Sequence, residues 1–258
     1  MTTYVYGITA ASHPAPPEGT VGVGDPARPV RTLTEGELAA VVSDAPEGLR
    51  PERRDLLAHQ NVLTEVGAAG CVLPMRFGSV ARDDDTVTDV LVQRAGHYQE
   101  RLRALSGMVE YDVRASPVEK AVLHRVMSQN AEIRDLTEAN RLAGGGSYEQ
   151  KARLGDMIVS AVRAQQVEDV AAVTRTLKAQ AAAVSAGPES TGSLVAMAFL
   201  VGRDTAPAFL AAVEDVRANL PHLEVRVNGP LPPYSFVEPG PSEPADRTAG
   251  SAYPGAGQ

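Results

Sequence analysis

The sequence predicts an α+β fold, with helices and strands mixed in both halves of the chain. Three observations carry that expectation. Val109, Tyr111 and Val113 alternate with Glu110, Asp112 and Arg114, the period-two pattern of a half-buried strand with one wet face. Val87, Leu91, Ala95, Tyr98, Leu102 and Leu105 recur every three or four residues, the stripe of an amphipathic helix. The second half reads strand, helices, strand, helix, strand. That order suits a small sheet with helices on one face and is too irregular for a barrel or a doubly wound sheet.

The elements follow in order. Met1 to Ile8 mixes β-branched and aromatic residues and ends in the turn-rich stretch Ser12 to Gly24, so it reads as a first strand. Leu38 to Ser43 is a second. Pro51 suits a helix start, Leu56, Leu63 and Val66 give that helix its apolar stripe, and Gly67 or Gly70 ends it. Cys71-Val72-Leu73 is a short strand interrupted by Pro74, which places it at a sheet edge, strand end or bulge. Asp83-Asp84-Asp85 opens the Val87 to Leu105 helix, where carboxylates complement the free amides and the dipole. Ser116-Pro117-Val118-Glu119 reads as a capped helix start, with Val118, Val122, Val126, Ile133 and Leu136 on one face. Gly144-Gly145-Gly146 breaks that helix. A long helix then carries Leu154, Ile158, Ala161, Val167, Val170, Leu177, Ala181 and Val184. Leu194 to Val201 is apolar throughout, hence a central covered strand. A helix with Phe209, Val213, Val216 and Leu220 stops at Pro221, and Leu223, Val225 and Val227 form a last strand. From Glu238 onward Pro, Gly, Ser, Ala and charge dominate, the composition of a disordered tail.

Composition narrows the function classes. The net charge of −8, without a Lys/Arg cluster, argues against nucleic acid. The single cysteine, Cys71, rules out an internal disulfide and a multi-cysteine zinc site; its apolar neighbours suggest a buried structural thiol. The longest strongly apolar run, Leu194 to Val201, is far short of the ~20 residues that span a bilayer. With no visible signal peptide, the expectation is a cytoplasmic, soluble protein without membrane contact.

No segment carries a catalytic signature. Gly22-Val23-Gly24-Asp25-Pro26-Ala27 formally matches a dinucleotide loop, but the flanking prolines make it a turn. The triple glycine at 144–146 lacks the lysine of a phosphate loop and reads as a connector. The five histidines are scattered, without metal-ligand spacing, and no serine sits in a nucleophile elbow. Asp83-Asp84-Asp85 lacks the spaced ligands of a calcium loop. The expected sets of catalytic residues, cofactors and metals are therefore empty. Two segments remain. In Pro74-Met75-Arg76-Phe77-Gly78, Arg76 either pairs with a buried carboxylate or contacts a partner from the surface, the first being preferred. In Gly229 to Phe236 the prolines favour extended backbone, so that Tyr234 and Phe236 lie along the surface as a clasp or dock a partner.

These segments, in this order and spacing, resemble the gas vesicle protein F/L family (GvpF/GvpL). The most specific piece is Val72-Leu73-Pro74-Met75-Arg76-Phe77-Gly78-Ser79-Val80. The Gly-Pro-x-Pro-Pro-Tyr-Ser-Phe segment, carried by Gly229, Pro230, Pro232, Pro233, Tyr234, Ser235 and Phe236, comes next. Tyr4-Val5-Tyr6-Gly7-Ile8 and Leu38 to Ser43 are similar to family sequence as well. Leu231 stands where an aromatic is often expected, and the tail after Glu238 is an extra.

The resemblance implies two domains: an N-terminal small mixed α/β domain over 1–106 and a C-terminal modified ferredoxin-like domain with extra helices over 107–237, followed by the 238–258 tail. It implies an accessory role in gas vesicle assembly and no enzyme activity. The partners implied are the small hydrophobic shell protein, whose aggregation it would prevent or whose nucleation it would assist, and other accessory proteins. A minor structural place in the shell is the nearest alternative; a small-ligand-binding or enzymatic α+β protein is one of a different class. Pro74, Arg76, Phe77, Tyr234 and Phe236 are the candidate partner-binding or domain-interface residues.

Overall fold

A computed structural model describes residues 1–187 and 192–238. The expected tail from Glu238 onward lies, beyond that residue, outside the described part. The first sheet is built from β1 (Thr3–Ala10), β2 (Arg31–Glu35), β3 (Leu38–Asp44), β4 (Leu73–Pro74) and β5 (Val80–Ala81). Its order is β2-β3-β1-β4, all antiparallel, and β5 also pairs with β1. Helix α1 (Arg53–Ala69) covers one face; α2 (Asp84–Gln93) and α3 (Ala95–Ala104) cover the other.

A bulge in β1 decides which side chains go where. The register with β3 slips between Val5 and Gly7. Tyr4 and Tyr6 therefore face α1, packed with Val62, Leu63 and Val66, while Ile8, two residues further, joins the opposite core with Val87 and Leu91. Without the extra residue all three would share one face.

The second sheet comprises β6 (Met108–Pro117), β7 (Ala183–Ala186), β8 (Val195–Gly202) and β9 (Leu223–Leu231) in the antiparallel order β7-β8-β6-β9. Counting helices, the connectivity is βαββαβ, a split pair of βαβ units. The first crossover holds three helices, α4 (Glu119–Gln129), α5 (Ala131–Leu142) and the 31-residue α6 (Tyr148–Lys178); the second holds α7 (Ala206–Asn219). One sheet face, including Val113, Phe199 and Val225, packs on Val173 and Leu177 of α6 and on Phe209 and Val213 of α7. From the other face Leu200, with Met108 and Ala183 beside it, joins the core under α2 and α3. Those helices are thus shared by the two sheets.

The structure corrects several local expectations. The Val87 to Leu105 helix is two helices that meet at Arg94, whose φ of −111° and ψ of 18° interrupt the turn. Asp83 does cap the first, accepting from the Thr86 amide at 2.8 Å. Ser116 and Pro117 end β6 rather than start a helix, and α4 begins uncapped at Glu119. Asn130 splits the next helix by capping α5 at the Ile133 amide, 3.1 Å away. Val184, placed at the end of the long helix by its spacing, lies instead in edge strand β7. Strands β2 and β5 have no clear sequence pattern either. Leu56 is exposed, and the inner face of α1 instead carries Asp55 and His59.

Candidate functional site

The Pro74 to Gly78 segment is held from below by an aromatic cluster. Tyr4 and Tyr6 lie side by side on β1, ring centroids 4.8 Å apart, and the His59 ring of α1 stacks on Tyr6 at 5.6 Å. His59 Nε2 faces the Met75 carbonyl at 3.1 Å, an acceptor only, so Nε2 carries the proton. Nδ1 then accepts from the Tyr4 hydroxyl at 2.9 Å, and the Tyr4 oxygen accepts the Gly78 amide at 3.2 Å. Burial pushes the Tyr4 and Tyr6 hydroxyls up and the His59 ring down, so all three stay neutral around pH 7. Tyr6 accepts from the Val23 amide at 2.9 Å, which fixes the Gly22–Gly24 turn above it. A side chain at Gly22 is impossible without rearrangement, since its Cβ would sit 1.9 Å from the Tyr6 hydroxyl. The formal dinucleotide pattern is thus a turn built to cover Tyr6. Gly24 donates to Asp55 Oδ1 at 2.8 Å; burial raises this carboxyl, but the Gly24 amide and Arg54 outweigh it and hold it below the ordinary range.

Above this base the segment divides. Pro74 is buried in edge strand β4 opposite Gly7, a place that requires no amide from it. Phe77 lies edge-on to Tyr4 at 6.0 Å and to His59 at 5.8 Å. Arg76 is exposed and makes no ion pair among the described residues, so the preferred pairing with a buried carboxylate is not observed. It projects from a loop whose backbone is fixed on both sides.

The Gly229 to Glu238 segment is a strap from β9 back to the first sheet. At Gly229 (φ +155°) a Cβ would come within 2.5 Å of the Tyr111 ring and 2.9 Å of the Glu110 carbonyl, so only glycine lets the strap leave so close to β6. A 3-10 turn, Tyr234–Phe236, follows. Ser235 donates both its amide and its hydroxyl to the Glu110 carboxylate, each at 2.8 Å. Glu110 was expected on a wet strand face; it is 2 % exposed because the strap and the first half cover that end of the sheet. Burial raises its pKa despite the two donors, and neighbouring Asp112 adds to this. Tyr234 packs into the cluster of Tyr4 and Phe77, and burial pushes its hydroxyl up to about 12. Phe236 and Val237 enter the core under α2 and α3. Glu238 closes the strap on Arg94 at 3.0 Å, whose guanidinium lies over the Tyr98 ring.

Of the five candidate residues, Phe77 and Tyr234 come together in one cluster, Phe236 fills a second, Pro74 is a buried strand end and Arg76 stands free. Sequence reading missed Glu110, His59 and Asp55. A lone carboxylate on an alternating strand looks solvated, and only its partner 125 residues away shows otherwise. A cleft of ≈ 400 Å³ opens beside the strap, between the end of α1, the turn before β6 and Pro230–Pro233. Cys71 and Arg203 line it. Cys71 is half-buried, and burial pushes its thiol up, away from reactivity. Among the described residues no group of three or more His, Cys, Asp or Glu could hold a metal, and no helix is long and apolar enough to cross a membrane.

The family described as gas vesicle synthesis protein GvpL/GvpF matches residues 2–238. The chain belongs to this family. Gas vesicle protein F of Streptomyces sp. (strain CB03234) is 57% identical over 238 residues, 92% of this chain and 100% of the relative. Gas vesicle protein L of the same strain is 28% identical over 251 residues, 91% and 92% of the two chains. The crystal structure of GvpF from Anabaena sp. PCC7120 superposes with a TM-score of 0.71 at 26% identity, covering 92% of this chain and 98% of that one. GvpF from Microcystis aeruginosa gives 0.69 at 24% identity, covering 92% and 99%. The α+β architecture is therefore that of solved GvpF proteins, and the fixed loop and strap are features of a GvpL/GvpF family member.

Proposed function

We propose that this chain is an F-type accessory protein of gas vesicle assembly that binds the small hydrophobic shell protein and limits its aggregation while a shell is nucleated. The observation that carries the reading is the 57% identity to a gas vesicle protein F over that relative's whole length, against 28% to the L protein of the same strain. A shell that excludes water needs a subunit with a large apolar face, and such a face on a free subunit is an aggregation hazard. An acidic protein that covers it transiently lowers free subunit and sets where growth starts. The reading takes residues 1–106 and 107–237 as two domains, the second ferredoxin-like with a helical insertion. It places the protein in the cytoplasm, associated with the vesicle and with other accessory proteins, without catalysis, nucleic acid or membrane. The exposed Arg76, on a backbone fixed by Tyr4 and His59, supports a partner contact at that loop.

Co-expression with the shell protein of the same genome tests the reading, by affinity pull-down and size-exclusion chromatography. A soluble complex is expected. A folded chain that leaves the shell protein aggregated and unbound overturns it. Arg76→Glu is expected to weaken that complex without changing thermal stability; full binding by a folded Arg76→Glu protein removes Arg76 from the contact.

A further inference from the structure

The Arg76 loop closes over a buried histidine whose hydrogen bonds leave no place for a second ring proton. Both ends of the loop are held by backbone. Met75 donates to the Tyr6 carbonyl at 2.8 Å, and Val5 donates to the Ser79 carbonyl at 2.9 Å. Between those ends three contacts hold the loop down. His59 Nε2 donates to the Met75 carbonyl at 3.1 Å, Phe77 lies edge-on to the His59 ring at 5.8 Å, and the Gly78 amide donates to the Tyr4 hydroxyl at 3.2 Å. The first two end on His59. The third ends on the hydroxyl that His59 orients, since Tyr4 donates to Nδ1 at 2.9 Å. Tyr4 is 0 % exposed and His59 4 %, so an unmatched donor at this place finds no water while the loop is closed.

A proton on Nδ1 sets donors against each other. An imidazolium donates from both nitrogens and accepts at neither. The Tyr4 hydroxyl proton then loses its acceptor, and the Tyr4 oxygen, already taking the Gly78 amide, meets a second N–H. Opening the loop lets water take up the unmatched groups. The titratable groups around the ring are Tyr4 and Tyr6 from β1, Tyr234 from the strap and Asp55, one turn earlier on α1. The tyrosines are neutral. The Asp55 carboxylate is held by the Gly24 amide at 2.8 Å and by Arg54 at 3.2 Å, and among the described residues it makes no bond to His59. From β3 the neutral Ser43 hydroxyl reaches Tyr6 at 3.0 Å, and Arg76 of the loop is exposed. Burial lowers the His59 ring further than the Met75 carbonyl raises it.

We propose that the Tyr4–His59 pair is an acid-sensitive latch on the Arg76 loop: a proton on His59 Nδ1 frees residues 76–78 while both loop ends and the sheet stay paired. The link from this latch to partner contact rests on the reading of Arg76 given above; the release itself does not. Its direction follows from linkage. The closed loop keeps His59 neutral, whereas the open loop gives the ring water and an ordinary affinity for a proton. Closure is therefore complete above the ordinary histidine range. It weakens as pH falls through about 6.5, by up to about ten-fold per pH unit, until the closed form takes the proton as well.

Hydrogen exchange of the full chain from about pH 5 to 7.5 tests this, read as protection factors so that the intrinsic pH dependence of exchange cancels. Protection of the Gly78 amide is expected to fall about ten-fold per pH unit below about pH 6.5, while the paired amides of β1 and β3 keep theirs. His59→Asn sets a neutral acceptor near the Nδ1 position and takes up no proton, so its Gly78 protection is expected to be lower but independent of pH. A second readout needs no variant: in the wild type, the His59 ring titration followed by NMR is expected to share its midpoint with the shift of the Gly78 amide. Gly78 protection that is flat with pH, a fall shared equally by β1 and β3, a His59 titration that leaves the Gly78 amide unmoved, or a folded His59→Asn protein with the wild-type fall each overturns the latch. Pull-down of the shell protein at about pH 7.5 and 5.5 separates the latch from the partner reading. Loop release with an unchanged complex upholds the latch and takes the Arg76 loop out of the contact. No complex at either pH sinks the shell-binding reading and leaves the latch standing on the exchange data.

Discussion

Tyr4 holds three parts of the molecule through one oxygen: β1 that carries it, His59 of α1, and the Gly78 amide of the Arg76 loop. Tyr4→Phe leaves the ring packing intact and strands a buried ring nitrogen and an amide, so a loss of about 1–3 kcal/mol in urea unfolding is expected. Gly22→Ala forces the Tyr6 hydroxyl off the Val23 amide and is expected to cost a similar ~1–3 kcal/mol. Glu110 and Asp55 predict opposite dependences on pH. Glu110 has a raised folded pKa. Below the unfolded pKa both states keep its proton and its contribution is intact. As pH rises the unfolded chain releases the proton first, so stability falls until the folded pKa is passed. Asp55, held low, contributes fully above its unfolded pKa and loses that contribution as pH falls through the folded value. Denaturant midpoints measured from about pH 3 to 8 are expected to lose part of their fall with rising pH in Glu110→Gln and part of their acid loss in Asp55→Asn. Unchanged profiles would show that neither group is linked to folding.

Besides the packing of Val173 and Leu177, a buried polar contact fixes the α6 helix beside the second sheet. His222, in the turn between α7 and β9, bonds both oxygens of Asp169 at 2.9 and 3.0 Å, and Gln165 donates to the same carboxylate at 2.8 Å. Asp169→Ala removes both bonds from groups that cannot reach water. A loss of about 2–4 kcal/mol is expected, with faster hydrogen exchange concentrated in α4 to α6. Uniformly faster exchange would mean that these helices have no separate hold on the sheet. At this scale the sequence was most legible where one helix face or strand face met one core. The long apolar strand β8 and the Asp83 cap could be read directly. Strand β7 could not, because Leu177, Ala181 and Val184 continue a helical spacing and only pairing with β8 makes the last a strand residue. The split at Asn130 was hidden for the opposite reason: the apolar stripe runs through it, and the break lies in a side-chain cap.

Across the whole molecule the two sheets are joined by shared packing and one strap. The Pro-rich segment was expected to lie along the surface as a clasp; Tyr234 and Phe236 instead pack into the two clusters. Its polar anchor was not legible, because Ser235 and Glu110 have no periodic relation. Phe236→Ser with Val237→Ser empties the strap's apolar hold on the core shared by both sheets. A stability loss of about 3–5 kcal/mol is expected, with earlier exchange of amides in α3 and in β6 near Glu110. If the exchange change stays within residues 229–238, the strap is an appendage and the joint lies elsewhere.

The Glu110 bond to Ser235 also has a history in time. At synthesis rates of about 5–20 residues per second, the 125 residues between them take about 6–25 s to make. Throughout that interval the carboxylate lies at an open seam and keeps its water, because the donors that replace it do not yet exist. Both sheets can be nearly complete while the seam stays wet. A chain that ends before Ser235 therefore lacks the donors that replace this water, together with the Phe236, Val237 and Glu238 anchors that follow them.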